Sequence, residues 1–587
     1  MSIRILTARA HRLFQPIVDE LGVHLHKGDS CILLVPEQLT LTAEQEIMSR
    51  LQVNGLFFVD VMSPSRLNDH ILSLTGRSDA EPLSDAGQRM AISQALERLE
   101  DHLPYYGSIT QRRGFVEKLS ALITDMKRGG MTPDGLEAFA QTQPAGGAQE
   151  KLKDLSLIYQ QYQAVAKGRF SDNEDILTYV AGQLEKSGFL QYKHLYVYGF
   201  DSLPEQLMQL LRSAAPLCES LTIGLVCDGE SAPDGDIYTP VRQGISRFQA
   251  MLQQDGMDVR LCPIVSAPLD CSGPIRHLDQ ALFARQPKPY GKPARGIILS
   301  SGLTPYEEAT FMSRQLLWTL QQGVSIEKAA VLYPEGGDYD FAVTAALTDS
   351  GLPFYTDQQL PASNHGLVRF LLSALHAMAD GWRSRDVIGM LKSGYAPLSF
   401  EQCCQLENYA YEHGIDRARW TKPFQRGDEE EIAQCEPLRE LLMEPLLKAR
   451  AAIVAARDAA SGLTAVFQLL LEVHAYETLK QEEDRLLAAG FLTRAGQNSQ
   501  VWQVICDLLD EMTRIGGQNR IPLKYIATRM ECGFSAVSIG TLPPASGMLH
   551  VGTLGHMLTE EADAVFLLGL SDGVLSRSTD SLLTQDE

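Results

Sequence analysis

Short apolar runs bounded by turn residues alternate with amphipathic helical segments along this chain, at residues 3–7, 31–35, 195–198, 221–226, 297–300, 329–333, 549–553 and 564–569. Strands of a parallel sheet are covered by helices on both faces, so they read as near-continuous apolar stretches rather than as alternating ones. The expected fold class is α/β, with parallel sheets built from strand-helix-strand units. The runs fall into two groups, separated and interrupted by residues 84–190 and about 372–535, which read as mainly helical. The layout expected is two α/β units, each split by a helical insertion. Residues 1–80 and 190–285 make the first unit and 81–189 its insertion; residues 286–371 and 536–587 make the second and 372–535 its insertion. No repeat at a solenoid period and no low-complexity tract competes with this division.

Local patterns give the helices their faces and ends. Phe115, Leu119, Leu122 and Met126 recur at spacings of four, three and four, which places them on one side of a helix that Gly129-Gly130 should stop. After a Pro- and Gly-rich connection at 286–296, a strand at 297–300 should lead into a helix capped by Thr304, with Pro305 at its first position and Glu307 completing a capping box. That helix should bury Ala309, Met312, Leu316 and Leu320 before the strand at 329–333.

Bulk properties exclude several classes. A chain of 587 residues exceeds what one core supports, so two to four domains are expected. Hydrophobic residues at 44% and charged residues at 21% are ordinary globular usage, and no apolar run reaches the length of a membrane span. Met1-Ser2-Ile3-Arg4 runs straight into a strand pattern without a secretory leader, so a soluble, cytoplasmic protein with no membrane partner is expected. The ten cysteines are scattered, with no C-x-x-C pair and no histidines at zinc spacing, so reduced thiols and no metal site are expected. A net charge of -22 excludes a surface coated in phosphate-binding cations. Contact with DNA would have to come from local patches.

Several collinear segments carry a family resemblance. Leu33-Leu34-Val35-Pro36-Glu37-Gln38-Leu39-Thr40 and Val61-Met62-Ser63-Pro64-Ser65-Arg66-Leu67, each after a strand, resemble the opening motifs of the AddB family of helicase-nuclease subunits. The likeness continues through KLSALITDMKRGGMTPDGL in the first insertion, LYVYGFDSLPEQ, QLENYAYEHGIDRARWTKPF, and AVFLLGLSDGVLSRSTDSLLTQDE at the carboxyl end. The resemblance implies two P-loop NTPase-like, RecA-like domains arranged as in superfamily 1 DNA helicases, each with its helical insertion. It implies an AddA-like motor and nuclease as heterodimer partner, with single- and double-stranded DNA as the polymer bound. Family members continue into a nuclease domain holding magnesium-binding carboxylates and a 4Fe-4S cluster. Neither can be assembled from the residues here, so no cofactor is expected in this chain. Leu582-Leu583-Thr584-Gln585-Asp586-Glu587 reads as the start of a helix cut short, hence as the end of a fragment.

Chemistry can be sought at the strand ends. A working phosphate loop needs G-x-x-x-x-G-K-[ST], because glycines let backbone N–H groups surround the phosphates and lysine meets their charge. Here the first strand leads into Thr7-Ala8-Arg9-Ala10-His11-Arg12, with neither glycine nor lysine. Alanine Cβ atoms would crowd a phosphate. Arg9, His11 and Arg12 could meet an anion, but a solvated or salt-bridged helix turn is the plainer reading. Magnesium would require a carboxylate pair after an apolar strand. Only Asp201 follows 195–198, and Glu205 reads as part of a Ser202 capping box. Superfamily 1 enzymes place a nucleotide-touching arginine after the strand matching 329–333, where this chain has Pro334-Glu335-Gly336-Gly337.

By resemblance, Gln38, Thr40, Arg66 and Phe200 match positions the family uses to read Chi, a short single-stranded recombination hotspot. A Gln amide can donate to and accept from a base edge, and Phe offers a stacking face. Each has a plain alternative: a capped turn for Gln38 and Thr40, a core aromatic for Phe200. Pro64 and Asp69 stand where Chi readers carry aromatic residues, which leaves the sequence read, or whether one is read, open. Arg417, Arg419, Trp420, Lys422 and Arg426 form the best basic-aromatic stretch for the DNA backbone, unless Asp428-Glu429-Glu430-Glu431 simply neutralises it. Arg112-Arg113, Lys127-Arg128, Arg383 and Arg385 are weaker candidates. The function expected is an ATPase-inactive, helicase-shaped DNA-binding subunit that guides and scans the 3′-ended strand during double-strand break repair. An active helicase and a pure scaffold for the motor are the alternatives.

Overall fold

Ser2–Ala8 (β1), Ser30–Leu34 (β2), Val59–Met62 (β3), Lys193–Val197 (β4), Ser220–Val226 (β5) and Val259–Pro263 (β6) form one sheet in the computed structural model. The structure describes residues 2–76, 80–99, 102–110, 112–227, 236–264, 271–284, 286–334, 338–356, 360–540, 547–554, 562–572 and 582–583. The strand order is β3-β2-β4-β5-β1-β6, and every neighbouring pair is parallel. Alternate side chains of each strand enter different cores. Ile5, Ile32, Leu34, Leu195 and Val197 face one, with Leu67, Ile71, Leu207 and Phe248; Leu6, Leu33 and Tyr196 face the other, with Ile17, Leu21 and Ile47. Burial on both faces is why these strands carry unbroken apolar runs.

The second unit is a four-stranded parallel sheet among the described residues. Ala329–Tyr333 (β7), Phe354–Thr356 (β8), Leu549–Thr553 (β9) and Ala564–Leu567 (β10) lie in the order β8-β9-β7-β10. Helices Pro305–Gln321 and Tyr339–Asp349 pack on it through Ala309, Met312, Leu316, Ala342, Val343 and Leu347. Thr304 caps the first of these by accepting from the Glu307 N–H, while the Glu307 carboxylate accepts from the Leu303 N–H. The strand expected at 297–300 is a correction: this segment forms no regular secondary structure and pairs with no strand among the described residues, and Leu299 is 93% exposed. A strand's N–H and C=O groups need a neighbouring strand, which an apolar run alone does not supply. The helix start expected at the carboxyl end lies mostly outside the described residues, and Leu582 and Leu583 are not helical.

Helices within 85–166 and 366–536 share one hydrophobic core. It joins Met90, Leu119, Ile123, Ile158 and Tyr162 to Leu371, Leu446, Leu469, Ile505, Met530 and Phe534. Helix Arg113–Arg128 buries Phe115, Leu119, Leu122 and Met126 and ends at Gly129, as its periodicity requires. Helix Asp85–Arg98 packs against helix Leu523–Ala536, although more than 400 residues separate them. Polar contacts tie helix Asp85–Arg98 both to helix Leu523–Ala536, through Arg529, and to helix Leu492–Gly516, which carries Glu511. Arg529 Nη2 lies 2.6 Å from Glu97 Oε2 with the two side chains 5% and 14% exposed. Ser84 gives its N–H to Glu511 at 2.9 Å, and a Cβ on Gly87 would meet the same carboxylate at 2.1 Å. Among the described residues, no helix is long and apolar enough to cross a membrane.

Removing one partner of a buried ion pair leaves an uncompensated charge, at a cost of about 3–5 kcal/mol. Arg529→Ala should therefore weaken the helical body by about that amount in urea unfolding followed by circular dichroism. A paired Arg529→Met, Glu97→Leu variant should recover most of the loss. A single-variant effect below about 1 kcal/mol would show that the two helical regions do not depend on this contact.

Candidate nucleic-acid interface

Because the first sheet is wholly parallel, the loops after β2, β3 and β4 leave neighbouring strands on the same edge. Gln38 lies exposed in the 3-10 turn Glu37–Leu39, just before helix Thr40–Leu51. Thr40 is buried, and its hydroxyl donates to the Glu37 carbonyl at 3.0 Å, so it closes this turn. Arg66 sits in helix Pro64–Thr75, which Ser63 caps by accepting the Arg66 N–H. Its guanidinium is 60% exposed, with Glu44 3.9 Å away. Phe200, after β4, is half-buried and packs on the first core.

Gly199 brings these loops together. Its φ of +83° is left-handed, and a Cβ there would lie 2.3 Å from Leu39 Cδ1 and 3.3 Å from Pro36. The turn holding Gln38 can approach the loop holding Phe200 because position 199 has no side chain. Asp201 follows, exposed. The Ser202 capping box is a correction: helix Glu205–Ala214 begins one residue after Pro204, which is its N-cap. Glu205 is thus the first helical residue, too early to reach back as a capping-box partner, and it accepts from Gln209 instead.

On the same edge, β5 separates β4 from β1 and its loop. Thr7 and Ala8 are buried at the end of β1. Arg9 Nη1 donates to the Asp279 carbonyl, and Arg12 Nη2 lies 2.6 Å from the Asp279 carboxylate with only 8% of its side chain exposed. His11 is exposed, with φ +62°. Both arginines therefore close on the last turn of helix Gly273–Ala281, where a helix's carbonyl end favours cations. Thr7 Oγ1 and Arg12 Nε are buried there without a hydrogen-bond partner among the described residues.

The end of β7 is also closed. Glu308 accepts from the Tyr339 hydroxyl at 3.0 Å and from the Gly569 N–H at 3.1 Å. Burial, reinforced by Glu308, pushes the Tyr339 hydroxyl up to about 12. A Cβ on Gly569 would meet Pro334 at 2.9 Å. Glu335, Gly336 and Gly337 lie outside the described residues.

The basic-aromatic stretch divides in two. Arg417, Arg419, Lys422 and Arg426 are exposed. Trp420 is 0% exposed, donates its ring N–H to Ser384 at 3.2 Å and sits in the shared helical core. It is a core residue with no face for a nucleic acid, which corrects its inclusion among the backbone-binding residues. Arg419 and Arg426 also donate to the carbonyls of Gly414 and His413, so part of this charge holds the loop in shape. Asp428 caps helix Glu429–Ala455 in a full capping box with Glu431, and acids in a first helical turn answer the helix dipole.

Of the weaker candidates, Lys127 is a correction. Its ammonium is 7% exposed and bonds Asp172 at 2.6 Å and Asp175 at 2.7 Å. Burial opposes the Asp172 charge, but Lys127 and the Tyr162 hydroxyl outweigh it and hold that carboxyl low. Arg128 pairs with Glu174, Arg383 with Asp380 and Arg385 with Asp386. Arg112 is exposed, and the Arg113 side chain lies outside the described residues. All ten cysteines are free thiols, and burial pushes Cys31 up to about 12 and Cys218 to about 11.

Residues 5–276 match the family model described as "ADDB, N-terminal". Proteins named as the B subunit of an ATP-dependent helicase/deoxyribonuclease are similar over most of the chain. The protein from Alkaliphilus oremlandii is 25% identical across 98% of this chain and 53% of its own length. That from Moorella thermoacetica is 27% identical across 93% and 50%, and that from Heliobacterium modesticaldum 26% identical across 98% and 50%. The chain spans about half the length of these relatives. The family match lies on the six-stranded unit and its helices, and the similarity runs on through the shared helical core to the second sheet: along nearly its whole length the chain is similar to AddB-type subunits.

Proposed function

We propose that this chain is the helicase-shaped, ATPase-silent part of an AddB-type protein, which guides the 3′-ended strand beside an AddA-like motor and nuclease during double-strand break repair. On this reading its two parallel units are P-loop NTPase-like domains that have kept their frame and lost their nucleotide chemistry. The observation that carries it is the contrast along one sheet edge. After β1, Arg9 and Arg12 are turned onto Asp279, whereas Gln38, Arg66 and Phe200 come from the adjoining loops after β2, β3 and β4 with Gln38 exposed.

Gln38 is the base reader in this scheme, since its amide can pair with a base edge in two directions. Arg66 supplies a phosphate or guanine partner, and Phe200 a stacking face from its half-buried ring. Thr40 acts by fixing the turn that presents Gln38. Arg417, Arg419, Lys422 and Arg426 contribute sequence-independent attraction to phosphates, which a net charge of -22 confines to such patches. Any hotspot read differs from that of relatives with aromatic residues in place of Pro64 and Asp69.

Fluorescence anisotropy with single-stranded oligonucleotides tests the proposal. Binding should weaken with salt, and Arg417→Ala with Arg419→Ala should weaken it about equally for all sequences while lowering the salt slope by about one per residue. Gln38→Ala should instead cost about 1–3 kcal/mol on preferred sequences and little on others. Gly199→Ala should mimic Gln38→Ala by displacing the turn. Absence of binding at low salt would favour a scaffold, and equal losses on every sequence from Gln38→Ala would remove Gln38 from the reading surface.

A further inference from the structure

The opposite edge of the first sheet, where its strands begin, carries a second cluster that the DNA path does not use. His24 lies in the last turn of helix Phe14–Lys27, and Gly28, at φ +79°, turns the chain back so that Asp29 comes directly before β2. His194 is the second residue of β4 and pairs in register with Cys31 of β2. Three segments distant in sequence thus bring two imidazoles and a carboxylate to one point.

Their donor atoms lie close enough together to share one ion. His24 Nδ1 is 3.0 Å and His194 Nε2 is 3.9 Å from Asp29 Oδ2, and donor atoms from the three residues all lie within 4.8 Å of one another. Zinc binds imidazole nitrogen and carboxylate oxygen at about 2.0–2.2 Å in a tetrahedron, which sets its donors roughly 3.3 Å apart. The two distances to Asp29 bracket that separation. The imidazole rings are 3.7 Å apart between centroids and tilted by 31°. The other nitrogen of His194, Nδ1, is 2.7 Å from the Ser220 hydroxyl. When it donates there, Nε2 keeps its lone pair facing Asp29, the arrangement that orients a metal-binding histidine from behind.

We propose that His24, Asp29 and His194 bind one first-row divalent cation, zinc by preference, with the fourth position open to water. Two nitrogens and one carboxylate oxygen suit zinc and its neighbours better than magnesium or calcium, which take mainly oxygen ligands. The ion would clasp the carboxyl end of helix Phe14–Lys27 to β2 and β4. This inference does not depend on the DNA-guiding role.

The test is a Co2+ titration of the chelator-stripped 587-residue chain, followed by visible absorption and then by competition with Zn2+. The expected result is one equivalent of cobalt with a tetrahedral-type absorption band, displaced by zinc. His24→Ala and His194→Ala should each weaken binding at least about tenfold, while all ten cysteines remain. Circular dichroism would establish that each variant is folded, and His24→Gln replaces any variant that is not. No stoichiometric uptake by the unaltered chain, or uptake unchanged in the folded variants, would overturn the proposal.

Discussion

Parallel pairing through all six strands of the first sheet is the constraint on which the rest depends. It sends every connection from a strand's carboxyl end to one edge, where open α/β sheets bind their ligands. The loops of β1, β2, β3 and β4 therefore share one surface, and what each can do is decided by a few side chains. At β1 the cations are spent on Asp279. At β2 and β4 a glycine without a Cβ lets two loops touch.

The Arg12–Asp279 pair gives the missing phosphate loop a physical meaning. A loop without glycine or lysine could simply be an open turn, but here its guanidinium is almost wholly buried against a carboxylate from helix Gly273–Ala281. An anion entering would have to displace Asp279 and leave that carboxylate without its partner. The shared helical core matters in a different way. With Glu97 and Arg529 paired across it, residues from both helical regions form one body whose parts are bound together by apolar burial as well as by ion pairs.

Much of the α/β frame was legible because doubly covered strands advertise themselves. The runs at 329–333 and 549–553 have the observed bounds, and 221–226 falls one residue short of β5. β3 is absent from the apolar runs because Val59-Asp60-Val61-Met62 is short and carries an acid, although the resemblance set a strand before the Val61 segment; β6 was missed because Arg260 and Pro263 interrupt it. The segment 297–300 looked like a strand because composition reports apolarity and not the presence of a neighbour. At the candidate site, the absence of the phosphate loop was readable directly, but Asp279 was not, being 267 residues from Arg12. Trp420 misled for a related reason: a tryptophan among arginines suits a stacking platform and a core anchor equally well until its burial is known. His24, Asp29 and His194 escaped notice because ligand spacing in sequence says nothing about residues gathered from a helix end and two strands.

The central claim is that this frame has exchanged nucleotide chemistry for a DNA path, and nucleotide binding by the purified chain tests it most directly. A fluorescent ATP analogue with magnesium, titrated in the presence and absence of single-stranded DNA, should show no saturable binding, and ATP should not turn over above background. Saturable binding that Arg12→Ala abolishes, with DNA-stimulated hydrolysis, would contradict the account and make the loop after β1 a working nucleotide site.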